Sequence, residues 1–181
     1  KESTKINISK VTFKKLSKSQ LNQIIKPLAL GWSAVAQNKP TLAVEFFSTV
    51  SKRKDFEMLG LLHLGLGYQI MKATKKADKA FKAALARSAT PPDRLNISFA
   101  THYIMTGRPS LAKNLIESLR SGYLDKNLFI KQLNKNPNET LTDISIKNAA
   151  DGLAEALFDI AQALKNDSVS EPALIFSQLA L

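Results

Sequence analysis

Apolar residues along this chain recur every three or four positions in a series of short stretches, and polar or helix-breaking residues separate them. That spacing predicts helices near 19–37, 40–52, 57–71, 74–88, 92–106 and 109–121, with two more near 147–165 and 171–181. Pro40 and Pro109 stand where the first turn of a helix accepts proline, and Asn38 and Gly107 lie in the turns just before them. Pro91 and Pro92 divide the second pair of helices from the third, with Asp93 beside the next helix start. Two segments depart from the pattern. Residues 1–18 alternate apolar and polar at Ile6, Ile8, Val11 and Phe13, which predicts an extended stretch or an ordered arm. Residues 121–147 are mostly polar, with a short helix expected from about Asp125 to Leu133 and a loop through Asn136-Pro137-Asn138. A polar insertion of this kind is where a chain can gain its own interaction surface.

The stretches also repeat as a set. A shift of 34 residues lays Leu30-Gly31 on Leu64-Gly65, Ala34 on Tyr68, Ala43 on Ala77, Phe47 on Phe81 and Val50 on Ala84. A further step of 35 reaches Phe99-Ala100, Tyr103, Ala112, Ile116 and Leu119. The physical sense is that two antiparallel helices approach closely only where small side chains meet. Gly31, Gly65 and Ala100 on the first helices are expected to face Ala43, Ala77 and Ala112 on the second, with Phe47, Tyr68, Phe81 and Ile116 filling the space beside them. Glycine inside a helix costs about 1 kcal/mol against alanine, which is tolerable where a larger residue would force the helices apart.

This pattern resembles the tetratricopeptide repeat, W-x2-L-G-x2-Y followed by A-x3-F and then P. Residues 61–84 carry it at Leu61, Leu64, Gly65, Tyr68, Ala77, Phe81 and Ala84. Residues 27–50 carry Leu30, Gly31, Ala43 and Phe47, with Pro27 at the opening position, and residues 96–119 carry Ala100 in place of the glycine. The last stretch, AEALFDIAQAL with PALIFSQLAL, keeps Ala161, Ala173 and Ala180. The resemblance implies an all-α fold, a right-handed α-α superhelix of antiparallel helix pairs. It divides the chain into an arm at 1–18, three units at about 19–52, 57–88 and 92–121, an insertion at 122–146, and a divergent fourth helix pair at 147–181 that is cut short. The phrase DGLAEALFDIAQAL is also similar to bacterial envelope-associated proteins of this repeat type. That similarity implies a bacterial source and a role in assembling envelope or secretion components, with periplasm, envelope and cytoplasm all open as locations.

Composition narrows the chemistry. The chain has 181 residues, 44% hydrophobic and 23% charged, values of a folded protein with a sizeable core. No apolar run approaches the roughly 18–20 residues of a membrane span, so no transmembrane segment is expected. Without cysteine there is neither a disulfide nor a thiolate metal site, and two histidines, His63 and His102, do not make an all-protein zinc centre. The chain opens at Lys1 and stops at Leu181 inside an apolar pattern, so both ends read as cut. The net charge of +11 is divided unevenly. Residues 1–135 hold 24 Lys and Arg against 8 Asp and Glu, a balance of +16, whereas residues 136–181 hold 2 against 7, a balance of −5. An acidic protein, an anionic membrane surface or nucleic acid could meet the basic part; a plain solvated surface explains it as well.

Candidate sites follow. Gly65 and Gly67 are two apart in an apolar run, but Ile70 takes the third glycine's place of a dinucleotide fingerprint, and no G-K-S/T follows. Gly65 belongs to the repeat; Gly67 has no place in it. No nucleophile, base and orienting group come together, so no catalytic residue, cofactor or metal is expected and the chain is not read as an enzyme. His63 reads as core or groove lining. Asn96-Ile97-Ser98 and Asn138-Glu139-Thr140 fit the glycosylation acceptor pattern. Lys72, Lys75, Lys76, Lys79 and Lys82 make one basic stripe, either a solvated face or a contact for an anionic lipid or acidic protein, with nucleic acid disfavoured by the scarcity of interleaved aromatics.

The resemblance also implies a peptide-binding groove on the concave side. Mapped here, it comprises Ile25, Leu28, Trp32 and Val35, then Leu59, Leu62, Leu66, Gln69 and Ile70, then Arg94, Ile97, Thr101 and Met105. Leu28 and Trp32 replace the lysines and asparagines of the carboxylate-clamping subfamily, which argues against chaperone-tail binding. An apolar wall needs a cover: the inserted YLDKNLFIKQL segment, a second copy of the chain, or an amphipathic helix from a partner, unless the array itself buries it. The expected function is a non-catalytic scaffold or adaptor holding another protein or peptide, with a basic surface-binding module as the alternative.

Overall fold

The helical spacing is realised among the described residues. The structure, a computed structural model, describes residues 18–120, 126–135, 145–166 and 178. Within them are eight α-helices: α1 (Lys18–Ala36), α2 (Pro40–Ser51), α3 (Glu57–Ile70), α4 (Thr74–Leu85), α5 (Asp93–Met105), α6 (Pro109–Glu117), α7 (Lys126–Lys135) and α8 (Ala149–Asn166). The fold is all-α, and among the described residues no helix is long and apolar enough to cross a membrane. Observed boundaries fall within a few residues of those expected. The arm at 1–18 lies outside the described residues but for Lys18; so do the loop through Asn136-Pro137-Asn138 and, apart from Gln178, the expected helix at 171–181.

Helices pack as pairs, α1 on α2, α3 on α4 and α5 on α6, and the pairs are joined through α2 with α3 and α4 with α5. The first helix of each pair ends in the same turn. Asn38, Lys72 and Gly107 adopt left-handed backbone with φ of 53°, 57° and 73°, at sequence spacings of 34 and 35 residues. In each turn the next amide reaches back five residues: Lys39 N to Ala34 O at 2.9 Å, Ala73 N to Tyr68 O at 2.8 Å and Arg108 N to Tyr103 O at 2.8 Å. The left-handed residue's own amide bonds three residues back, completing a Schellman cap that satisfies the last carbonyls of the helix. Pro40 and Pro109 then start α2 and α6 at a position with no amide to lose.

The core repeats with the same period. Ala43, Phe47 and Val50 on α2, Ala77, Phe81 and Ala84 on α4, and Ala112, Ile116 and Leu119 on α6 are all buried. Phe47 lies against Gly31 of its own pair, where any added Cβ would overlap the ring. Phe81 does the same against Gly65, where a Cβ would stand 2.9 Å from the ring. Gly67, without a role in the repeat pattern, receives the other edge of Phe47, a Cβ there falling 2.8 Å from its ring. It therefore serves packing between successive pairs. One step further along the array His102 takes the corresponding place, its ring 5.3 Å from that of Phe81. Gly60 is a further close approach, its face filled by the Ser51 backbone.

Lys72 holds a conformation that costs a side-chain-bearing residue about 1–2 kcal/mol and glycine almost nothing. Part of that gain is lost to the greater freedom of glycine in the unfolded chain. Lys72→Gly is expected to raise the melting temperature by about 1–3 °C, measured by thermal denaturation.

Candidate functional site: a helix face filled by the chain's own helix

The residues expected to line a groove belong to α1, α3 and α5. Leu28, Trp32, Val35, Leu62, Leu66, Gln69, Ile97 and Thr101 are buried; Ile25, Leu59, Ile70 and Arg94 are half-buried; Met105 is 47% exposed. They are not an open wall. The cover is α8, which packs on α1 and α3 and reaches α5. The α7 of the inserted segment packs on α6. Instead of stacking on α5 and α6 as one more layer, residues 149–166 fold back across the first helices.

Local sequence explains why α8 forms there. Asn148 caps its start, the side-chain oxygen accepting from the Asp151 amide at 2.9 Å, while Asp151 Oδ2 accepts from the Lys147 amide at 2.8 Å. Gly152, Ala156, Ile160 and Ala161 are buried, and Ala149 and Leu153 pack partly against the core, a helical stripe three and four residues apart. Two acids lie on or beside this inward face, Glu155 and Asp159.

Three contacts hold the helix. Gly152 sits on the Trp32 indole so closely that a Cβ would overlap the ring. Glu155, 4% exposed, takes the Arg94 guanidinium in a two-pronged pair. Asp159 Oδ2 stands 3.4 Å from Nε2 of the fully buried His63. That imidazole is oriented from its other side, because Trp32 Nε1 donates to His63 Nδ1 at 3.2 Å, which leaves the ring proton on Nε2 facing the carboxylate. Just before α8, the Ile146 carbonyl accepts from Gln69 Nε2 at 3.4 Å. Trp32, Gln69 and Arg94 thus meet residues 146–155, while His63 is a contact that its setting among leucines did not distinguish from plain core. The repeat pattern gives Gly152, Glu155 and Asp159 no role; their visible signal is the spacing of three and seven residues within DGLAEALFDI.

A second polar cluster joins α4, α5 and the turn after α5. Arg108 donates to both oxygens of Asp78, at 2.6 and 2.9 Å, and His102 Nε2 donates to Asp78 Oδ1 at 2.8 Å. The Arg108 guanidinium also lies 4.7 Å over the Tyr103 ring. Burial pushes the His102 imidazole below its ordinary value against the opposing pull of Asp78, while the Arg108 hydrogen bonds hold the Asp78 carboxyl below its own. The geometry is that of a brace between helices.

Of the basic stripe, Lys75, Lys76, Lys79 and Lys82 are exposed on α4, and Lys72 lies in the turn before that helix. None pairs with a described carboxylate, Asp78 being engaged by Arg108 and His102. Asn96 is buried at 5% exposure within α5, out of reach as a glycosylation acceptor in the folded chain, and Asn138 lies outside the described residues. Among the described residues no group of three or more His, Asp and Glu could hold a metal ion. No family model, curated protein or solved structure matches the chain.

Two outcomes are expected. Glu155→Gln keeps the shape of the Arg94 contact and removes its charge, which is worth about 1.5–3 kcal/mol per charged hydrogen bond. Amide exchange across α8 should quicken by about tenfold or more while α2 and α4 stay protected, as read by hydrogen exchange with mass spectrometry. As for acid, a group whose folded value is depressed stabilises above its unfolded value and loses that contribution as pH falls toward the folded one. His102 therefore weakens the fold as pH drops below about 6.5, and Asp78 adds to the loss below its ordinary 3.8. Melting temperatures should fall between pH 7.5 and 5, and His102→Gln should flatten that slope.

Proposed function

We propose that the chain is a non-catalytic protein–protein interaction scaffold, a right-handed superhelix of tetratricopeptide-like pairs whose concave face, made by α1, α3 and α5, holds a helical or extended segment of another protein. One observation carries the reading: this face receives a helix, α8, through a fitted aromatic contact and two charged side chains. A surface that accepts one amphipathic helix in this manner has the shape and chemistry to accept another. The Schellman turns at Asn38, Lys72 and Gly107, repeating every 34 or 35 residues, support the repeat assignment. A role in bacterial envelope assembly rests on the similarity of DGLAEALFDIAQAL alone.

Met105 tests the reading, since it is a groove position 47% exposed with room for a photo-crosslinking residue. Such a residue at 105 should give a discrete adduct with a second protein in cells, and one at Lys79 should not. Adducts from position 79 alone would defeat the groove.

A second reading has its own observation, the exposed lysines of α4 that pair with no described carboxylate. On that reading the chain meets an anionic membrane, acidic protein or nucleic acid through α4. Reversing Lys75, Lys76 and Lys79 to glutamate would then abolish binding, with α8 undisturbed.

A further inference from the structure

We infer that α8 is a displaceable occupant of the α1–α3–α5 face, and that the natural partner is an acidic amphipathic helix repeating α8's inward pattern. That pattern is a small residue on Trp32, a carboxylate three residues later on Arg94, and a second carboxylate seven residues later on His63. This rests on the scaffold reading and gives its partner a chemistry.

Charge complementarity sets the class of partner. Residues 1–135 carry a balance of +16, and α8 comes from the acidic remainder of the chain. Within α8, Asp151, Glu155 and Asp159 stand against Lys165 alone. A helix with apolar residues at 155 and 159 would lose the carboxylates that meet Arg94 and His63, and a larger residue at 152 would not fit over the indole.

Displaceability follows from the joint itself. His63 Nε2 and Asp159 Oδ2 are buried and 3.4 Å apart without forming a well-directed hydrogen bond, and Gln69, whose amide donates to the Ile146 carbonyl just before α8, has its Oε1 buried without a partner. Buried polar atoms left unpaired weaken a docked state, so a helix that satisfied them would outcompete α8. The competition is strict because a tethered helix acts at an effective concentration of about millimolar.

The experiment uses the full chain and a fluorescein-labelled peptide of residues 147–166. Wild type should bind it weakly, its own α8 holding the site. Full-length Gly152→Leu cannot seat α8 on Trp32, the chain's single tryptophan, so its emission should be red-shifted before peptide is added, and it should bind the wild-type peptide at least tenfold tighter. Peptide carrying Glu155→Arg should lose this binding and regain it on a chain carrying both Gly152→Leu and Arg94→Glu. Should Gly152→Leu fail to fold by circular dichroism, Glu155→Arg within the full chain serves as the second means of expelling α8. Equal affinity of wild type and both variants, or equal binding of a scrambled peptide, overturns the inference. Dimerisation of wild type through its own α8, seen by light scattering, would make a second copy the occupant and overturn it also. Hydrogen exchange on wild type is decisive without any variant: α8 must exchange faster than α2 and α4, and equal protection would make it permanent core. The cross-linking at position 105 reads the groove independently of all these results.

Discussion

The ring of Phe47 fixes how this molecule is put together. It leaves α2, lies on the bare backbone of Gly31 within its own pair and of Gly67 in the next, and stands edge-on to Trp32 with centroids 5.2 Å apart. One aromatic side chain therefore sets both the spacing within a pair and the spacing between pairs, because glycine lets backbone approach where a Cβ would not. Phe81 repeats the arrangement on Gly65, but its outer neighbours are rings, Phe99 at 5.1 Å and His102 at 5.3 Å. A ring in the place of a glycine brings polar nitrogens into the core. Asp78, itself held by Arg108, accepts from His102 Nε2, while Nδ1 is buried without a partner.

That spacing produces the docking face. With α1 and α3 held together by Phe47, Trp32 and His63 come within hydrogen-bonding distance, and the imidazole presents its remaining nitrogen outward. Arg94, at the start of α5, adds a cation at the far side of the same face. An acidic helix meets the Arg94 cation and the His63 ring N–H at once. Burying Glu155 would be prohibitive alone and becomes tolerable through the two-pronged pair, so docking depends on charge matching as much as on apolar area. Most of the stability of a surface helix comes from the packing of its apolar stripe, so the helicity of α8 and its seat on Trp32 stand or fall together.

The basic stripe and the docking face are chemically separate. Lysines on α4 extend into solvent, while the one carboxylate of that helix turns inward to Arg108 and His102. The charge imbalance between the two parts of the chain thus has two expressions, an exposed one on α4 and a buried one at Arg94 and Glu155.

Much of this was legible in the order of residues. Apolar spacing placed the helices, and the period of 34 placed the buried alanines and phenylalanines, because both depend on neighbours within one pair or the next. The resemblance to the tetratricopeptide repeat implies that Trp32, Gln69 and Arg94 line one face, and all three meet residues 146–155 there. What covers that face was not legible. The phrase DGLAEALFDIAQAL announces an amphipathic helix, but a helical stripe reads the same whether it stacks at the end of an array or folds back more than a hundred residues onto Trp32. Gly67 was opaque for the same reason, its partner Phe47 lying in another pair. Sequence by itself determined the described helices, the pairing of α1 to α6 and the charge each carries; the tertiary structure alone decided that α8 returns to the first helices, because there Gly152 meets the Trp32 indole while Glu155 meets Arg94.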